Sequence, residues 1–251
     1  MKSICKIAIN EYKMMVREKV YWFVLLVVII LAVADNIPID RNLERLPFTV
    51  VPGYTVSRLL IQMGVILSYF LVFLFANRII SDKETSMIAL FKIYNISKKE
   101  YICGKSLGGL IYFYLVFFVY LLVDGILFYI VNPAIFSVKV YVIGFCCSVI
   151  PVGFWVVNIS MVLPAYIGKR ITYIVMTLYF VLNVILVPDS NNLPPYFLFY
   201  GELIKNVYKY GLSSINEKAM IYNALFLFGG GIIGIILAIY NKGMWELYEE
   251  I

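Results

Sequence analysis

Between Ser81 and Lys105 the chain reads SDKETSMIALFKIYNISKKEYICGK, a charged segment set between two long apolar runs. Two tetrads, Ser81-Asp82-Lys83-Glu84 and Ser97-Lys98-Lys99-Glu100, have the form of a capping box. In such a box Ser accepts from an orphan helix amide and Glu reaches back. They predict two helices in succession, one starting at Ser81 and one after Ser97. The first is short and carries Met87, Leu90, Phe91 and Tyr94 on one apolar stripe. The second runs straight into the next apolar stretch.

Working outward, the 251 residues are 63% hydrophobic and 14% charged, with mean hydropathy +0.90. A water-soluble domain cannot bury that much apolar surface, so the composition predicts an all-α integral membrane protein. No polar stretch is long enough to build a separate soluble domain, which leaves one membrane domain over residues 1–251. Six apolar stretches approach the ~20 residues that a bilayer requires. They are Val20–Ile37, Val56–Asn77, Leu107–Val131, Val138–Tyr166, Ile171–Val187 and Ala219–Tyr240. Pro151 and Pro164 are expected to kink or end the fourth. The first apolar run is too long for a cleavable leader, and no small-residue cleavage site follows it.

Charge then sets the orientation. Lys2, Lys6, Lys13, Arg17 and Lys19 precede the first span. Arg78, Lys83, Lys92, Lys98, Lys99 and Lys105 lie between the second and third. Lys169, Arg170 and Lys242 complete fourteen of the 21 basic residues on one side. The positive-inside rule puts that side, and both termini, in the cytosol. The net charge of +6 therefore reflects orientation and not nucleic-acid binding.

Residues 2–19 form a separate element. Ile4, Ile7, Ala8, Tyr12 and Met15 share one helical face, and Lys2, Lys6, Lys13 and Arg17 share the other. The pattern predicts an amphipathic helix in the cytosolic interface, its lysines reaching lipid headgroups. A solvated leader is the alternative. The outer segments differ in kind. Residues 36–55 contain Pro38, Pro47 and Pro52-Gly53 and read as an irregular loop. Residues 188–218 carry Phe199, Tyr200, Leu203, Ile204, Val207 and Tyr208 at helical spacing. That predicts an outer amphipathic or re-entrant helix before the sixth span, or a loop packed on its own helices. Gly230 and Gly234 have small-xxx-small spacing for helix packing, or mark a hinge.

Catalytic chemistry has little to work with. There is no His to serve as base or ligand. Cys5, Cys103, Cys146 and Cys147 show no metal or redox spacing and read as reduced thiols. Gly104-Lys105-Ser106 resembles the end of a phosphate-binding loop. That loop needs a Gly five positions earlier, where Lys99 stands, and a preceding strand. The chain is thus read as neither an enzyme nor a nucleotide binder. Asp124, Asn158, Asn183 and Asn223 are polar groups within the apolar runs, candidates for lining a pathway or for bonding helix to helix.

The arrangement resembles an ABC-2 type permease. The shared features are an interfacial first helix, six spans, a helix between spans two and three, and an outer helix before span six. In that family the cytosolic loop often runs Glu, a small residue, an apolar stretch, Pro-x-Ser/Thr, then Lys at the third span. Here Glu84, Met87 to Phe91, Asn95-Ile96-Ser97 and Lys105 correspond, with Ser86 where Gly is usual and Asn95 where Pro is typical. The resemblance implies a subunit without cofactors of its own in a bacterial plasma membrane. Two copies of a soluble ATPase would bind ATP and magnesium, and a second or paralogous permease would complete the exporter. The cargo would be a peptide, bacteriocin, antibiotic or other amphipathic molecule. Glu84, Met87, Leu90, Phe91, Tyr94, Lys169 and Arg170 would contact the ATPase. The rival expectation is a multi-pass assembly or sensor component with no ATPase partner.

Overall fold

Ser97 forms its capping box as expected: its hydroxyl accepts from the Glu100 amide, and the Glu100 carboxylate accepts from the Ser97 amide. In the computed structural model, which describes residues 2–36, 50–85, 87–185, 198 and 217–241, this box opens the longest helix. Every regular element among the described residues is helical. They are α1 (Lys2–Arg17), α2 (Lys19–Asn36), α3 (Val51–Leu59), α4 (Val65–Ala76), α5 (Arg78–Glu84), α6 (Met87–Ile93) and α7 (Lys98–Val131). After them come α8 (Val138–Gly144), α9 (Ile150–Val162), α10 (Pro164–Ile167), α11 (Lys169–Ile185) and α12 (Glu217–Tyr240). Four helical stretches are long and apolar enough to cross a membrane: Val65–Asp82, Lys98–Val131, Val138–Ile167 and Tyr222–Tyr240. Tyr21–Val33 is a shorter apolar helix. The expected outer helix over 188–218 lies almost wholly outside the described residues.

Helix α7 has 34 residues, about 51 Å at 1.5 Å per residue. That is well beyond the ~30 Å apolar thickness of a bilayer. It is also the packing axis, with α1, α2, α9 and α12 laid against it. Tyr112, Phe113, Phe117 and Tyr120 on its inner face are fully buried. Phe113 and Phe117 stack at 4.7 Å between ring centres. Helix α12 rests on α9, and α11 rests on α4.

Helix α1 departs from the sequence expectation. Its apolar face does not lie free for lipid. Ile7, Ala8 and Met15 are buried, and α1 packs along the start of α7. The contacts step by four on both helices: Ser3 bonds Glu100, Ile7 meets Gly104, and Glu11 meets Gly108. The two helices therefore run in the same direction. The physical reason is a small-xxx-small seam on α7. A Cβ on Gly104 would lie 2.6 Å from the Ile7 side chain, and one on Gly108 would lie 2.8 Å from the Ala8 carbonyl oxygen. Only hydrogen fits there. Lys6, Lys13 and Arg17 on the other face are exposed, as the pattern requires.

Proline and serine account for two further corrections. Pro52-Gly53 does not belong to a loop but opens α3, because proline costs nothing in a first helical turn, where its missing N–H would be unpaired anyway. Ser81 does not cap a helix. It sits inside α5 with its amide donating to the Asn77 carbonyl, since the chain is already helical from α4 and only bends at Asn77. The expected single helix after Ser81 is thus two, α5 and α6. Pro151 does disturb the fourth apolar stretch. A π-helical turn, Phe145–Val149, precedes it, relieving the clash of the ring with the carbonyl four residues back. The chain then bends at Pro164 and stops at Gly168, where φ is +79°.

Gly230, Gly231 and Gly234 have a packing role. Helix α12 runs through them without a break, and Cβ atoms on Gly230 and Gly231 would collide with Trp155 and Phe154 of α9. The four cysteines are free. Replacing Gly108 with Val forces α1 away from α7. It is expected to cost about 1–3 kcal/mol, read as a lower melting temperature in detergent and faster tryptic cleavage after Lys13 and Arg17. Gly229→Ala is the control, because a Cβ there meets nothing within 4 Å. It should gain up to about 1 kcal/mol from helix propensity.

Candidate functional site

Glu11 interrupts the apolar face of α1, one turn after Ile7 and one turn before Met15. Burial there demands partners, because a carboxylate without them is far too costly away from water. Two basic residues supply them. Lys105 of α7 donates to Glu11 Oε2 at 2.5 Å, and Arg78 of α5 donates through Nε to Glu11 Oε1 at 2.6 Å. Lys105 also donates to Asp82 of α5 at 2.6 Å. Tyr101 of α7 donates its hydroxyl to the same Asp82 oxygen at 2.8 Å. Arg78 uses Nη1 for Glu18, at the joint between α1 and α2. Glu11, Arg78, Asp82 and Lys105 are all buried, and their formal charges cancel.

The spacing explains why these residues meet. Arg78 and Asp82 are four apart and share one face of α5. Tyr101 and Lys105 do the same on α7. Glu11 completes the set because the Gly104 and Gly108 seam brings α1 within side-chain reach. Burial pushes the Glu11 carboxyl up, but the charges of Lys105 and Arg78 outweigh it and hold the group below the usual carboxylate range. Glu11 is therefore ionised at neutral pH.

Above the network lies a cleft of about 420 Å³, walled by Glu11, Lys13 and Arg17 of α1, Asp82 of α5, Met87 and Phe91 of α6, and Lys105. Helix α6 hangs over it. Its end is fixed by Asn95 in the left-handed region, at φ 53°. The Asn95 amide donates to the Lys92 carbonyl and the Ile96 amide to the Phe91 carbonyl, both at 3.0 Å, the pattern of a Schellman motif. Proline, fixed near −65°, cannot take that conformation.

The residues singled out from the sequence divide between inside and outside. Ile88 is buried, Met87 and Phe91 are half-buried, and the Phe91 ring lies 5.1 Å from that of Tyr101. Leu90, Ile93 and Tyr94 face outward, with 49%, 72% and 75% of their surface exposed. Glu84 is exposed at the end of α5. Lys169 donates to Asn77 Oδ1 at 2.6 Å, which ties the start of α11 to the α4–α5 bend; Arg170 beside it is exposed.

The polar residues of the apolar runs are dispersed. Asp124 accepts from Tyr141 at 2.8 Å. Asn158 accepts from Ser106 of α7 and donates to its own helix at Phe154. Asn183 accepts from the Leu198 amide at 2.9 Å, and Asn223 is half-buried on α12. None lines the cleft beside α6. Asn158 bonds one helix to another, the commoner role of such groups. Among the described residues no group of His, Cys, Asp or Glu could hold a metal ion.

No family model matches the chain, and no curated protein matches it.

Two measurements test the network. Lys105→Met leaves Glu11 and Asp82 without their shared cation and should cost about 3–5 kcal/mol; adding Glu11→Gln should restore part of that. Because the folded Glu11 carboxyl titrates below its ordinary value of 4.5, its contribution is present above that pH and is lost as pH falls through the lower folded value. The difference in melting temperature between the unaltered chain and Glu11→Gln should therefore be constant from pH 7 to 5 and shrink below 4.5.

Proposed function

We propose that this chain is the membrane subunit of an ABC-2 type exporter, with α5 and α6 as its contact to a separate ATPase. In this reading α2, α3–α4, α7, α8–α9, α11 and α12 are six spans, and both termini are cytosolic in a bacterial plasma membrane. Two ATPase copies hold ATP and magnesium. A second copy of the chain, or a paralogue, completes the pathway.

One observation carries the reading. Leu90 and Ile93, on a helix of seven residues, and Tyr94, just past its end, form an exposed apolar patch at the charged end of the bundle. Exposed Lys92 and Lys99 accompany it. Lipid explains the exposed apolar flanks of the long helices but not a patch bounded by lysines, and buried apolar anchors dominate protein interfaces. The anchors in this reading are Leu90, Ile93 and Tyr94. Phe91 and Met87 instead fasten α6 to the bundle. A push on α6 reaches α7 through the Phe91–Tyr101 ring contact, and a push on α5 reaches it through Asp82 and Lys105. The cargo is amphipathic. Gly125 and Tyr141 line an apolar cleft of about 560 Å³ between α7 and α8, and buried Asp124 is bonded to Tyr141 beside it.

Purification of the tagged chain from its own host, with mass spectrometry of what co-elutes, tests this. The expected result is a P-loop ATPase at one copy per copy of this chain, lost in the double variant Leu90→Asp/Ile93→Asp while the melting temperature holds. Absence of any such ATPase, or its retention by the double variant, would sink the proposal.

A further inference from the structure

A second cleft, of about 590 Å³, lies between α2 and α4 at the same end of the bundle as the ion-pair network. Its lining divides by chemistry along one helical direction. Glu18, Asn77 and Arg78 stand at one end, while Phe70 and Phe73 stand about 6–12 Å deeper, by the rise per residue of a helix. Phe23 of α2 forms the opposite lip, and both Phe23 and Phe70 are exposed, so the cleft opens sideways onto the apolar flank.

Three observations at the polar end point to a ligand. Arg78 lines the cleft with only 8% of its side chain exposed. Its Nε and Nη1 are bonded to Glu11 and Glu18, but Nη2 has no partner among the described residues. A buried donor of this kind calls for an acceptor. Lys169 is exposed and spends one donor on Asn77 at the cleft's edge, leaving two more N–H groups there. Glu18 is 43% exposed and supplies a carboxylate beside them.

We propose that this cleft binds one phospholipid with a phosphoethanolamine headgroup. The phosphate accepts from Arg78 and Lys169, the ammonium donates to Glu18, and the acyl chains lie along Phe70 and Phe73. The sequence of polar end and aromatic wall matches the change from headgroup to hydrocarbon at a membrane surface. The sign of the headgroup follows from the local charge. Arg78 already faces two carboxylates, so an anionic lipid adds repulsion at Glu18, whereas a zwitterion brings its own cation to that position. This site is independent of the ATPase reading.

The test is native mass spectrometry of the full chain in detergent, after delipidation, titrated separately with phosphatidylethanolamine and phosphatidylglycerol. The expected result is a 1:1 phosphatidylethanolamine adduct, about tenfold tighter than phosphatidylglycerol. Glu18→Gln should abolish that preference, and Lys169→Ala should weaken both lipids. Free phosphoethanolamine at matched concentration should not displace the bound lipid. Three outcomes would overturn the proposal: no discrete adduct, equal binding of both lipids to the unaltered chain, or displacement by the free headgroup. Indifference of the adduct to Glu18→Gln and Lys169→Ala would do so too. Lys169 is exposed and the Glu18 side chain is 43% exposed, and a cooperative melting transition without lipid confirms that each variant folds.

Discussion

Glu11, Arg78, Asp82 and Lys105 bury two negative and two positive charges against one another, and the end of the bundle is organised by that fact. Each charge alone would be intolerable where it sits. Together they need no counter-ion, yet each is indispensable to the other three. Such a set does not by itself add much stability over well-packed apolar residues. What it adds is specificity, because the charges cancel only when α1, α5 and α7 stand in one relative arrangement. A slide of α1 by one turn along α7 would take Glu11 past Lys105 and leave a bare carboxylate in an apolar seam.

The glycines make that arrangement possible at short range. Lys105 lies between Gly104 and Gly108, so the side chain that must be reached stands beside the two positions where backbone can approach backbone. Larger residues there would hold α1 outward and stretch ion pairs now at 2.5–2.6 Å. Packing and electrostatics are thus one device, with the steric gap setting the distance and the charges setting the register. The capping box at Ser97 contributes at the same end by fixing where α7 begins, two turns before Lys105.

Much of the helical plan was legible in the sequence, because hydrophobic runs of bilayer length and a Ser-x-x-Glu box are local signals. The amphipathic pattern of α1 was legible too, but its partner was not, since a helical face says that something covers it and not what. The signal for the network was present and easy to pass over. Glu11 is an acid in the middle of an apolar stripe, while Arg78, Asp82 and Lys105 cluster at the mouths of two spans. Counting Arg78 and Lys105 only as orienting charges hid their pairing. Gly104-Lys105-Ser106 drew the eye as part of a nucleotide motif, but it lies inside α7, and its Gly and the Gly108 that follows are the packing seam. Ser81 misled for the opposite reason. Its tetrad fits a cap, but the preceding helix had not ended, and a cap needs a helix to start.

Asn95 bears on how the segment between α5 and α7 is held in place. A proline at such a corner would owe its stiffness to a ring that fixes φ. Here the same corner is held by a left-handed residue and two backbone hydrogen bonds that close the end of α6. Both devices set the angle between a short helix and the long one after it, but they fail differently. A proline corner is stiff in any surroundings. The Asn95 corner holds only while α6 keeps its last turn, and that turn is held in turn by Phe91 against Tyr101. The ring of Tyr101 belongs to the residue whose hydroxyl binds Asp82. The orientation of α6 is therefore conditional on the buried charges, and a force on its exposed face acts on α1 and α7 together.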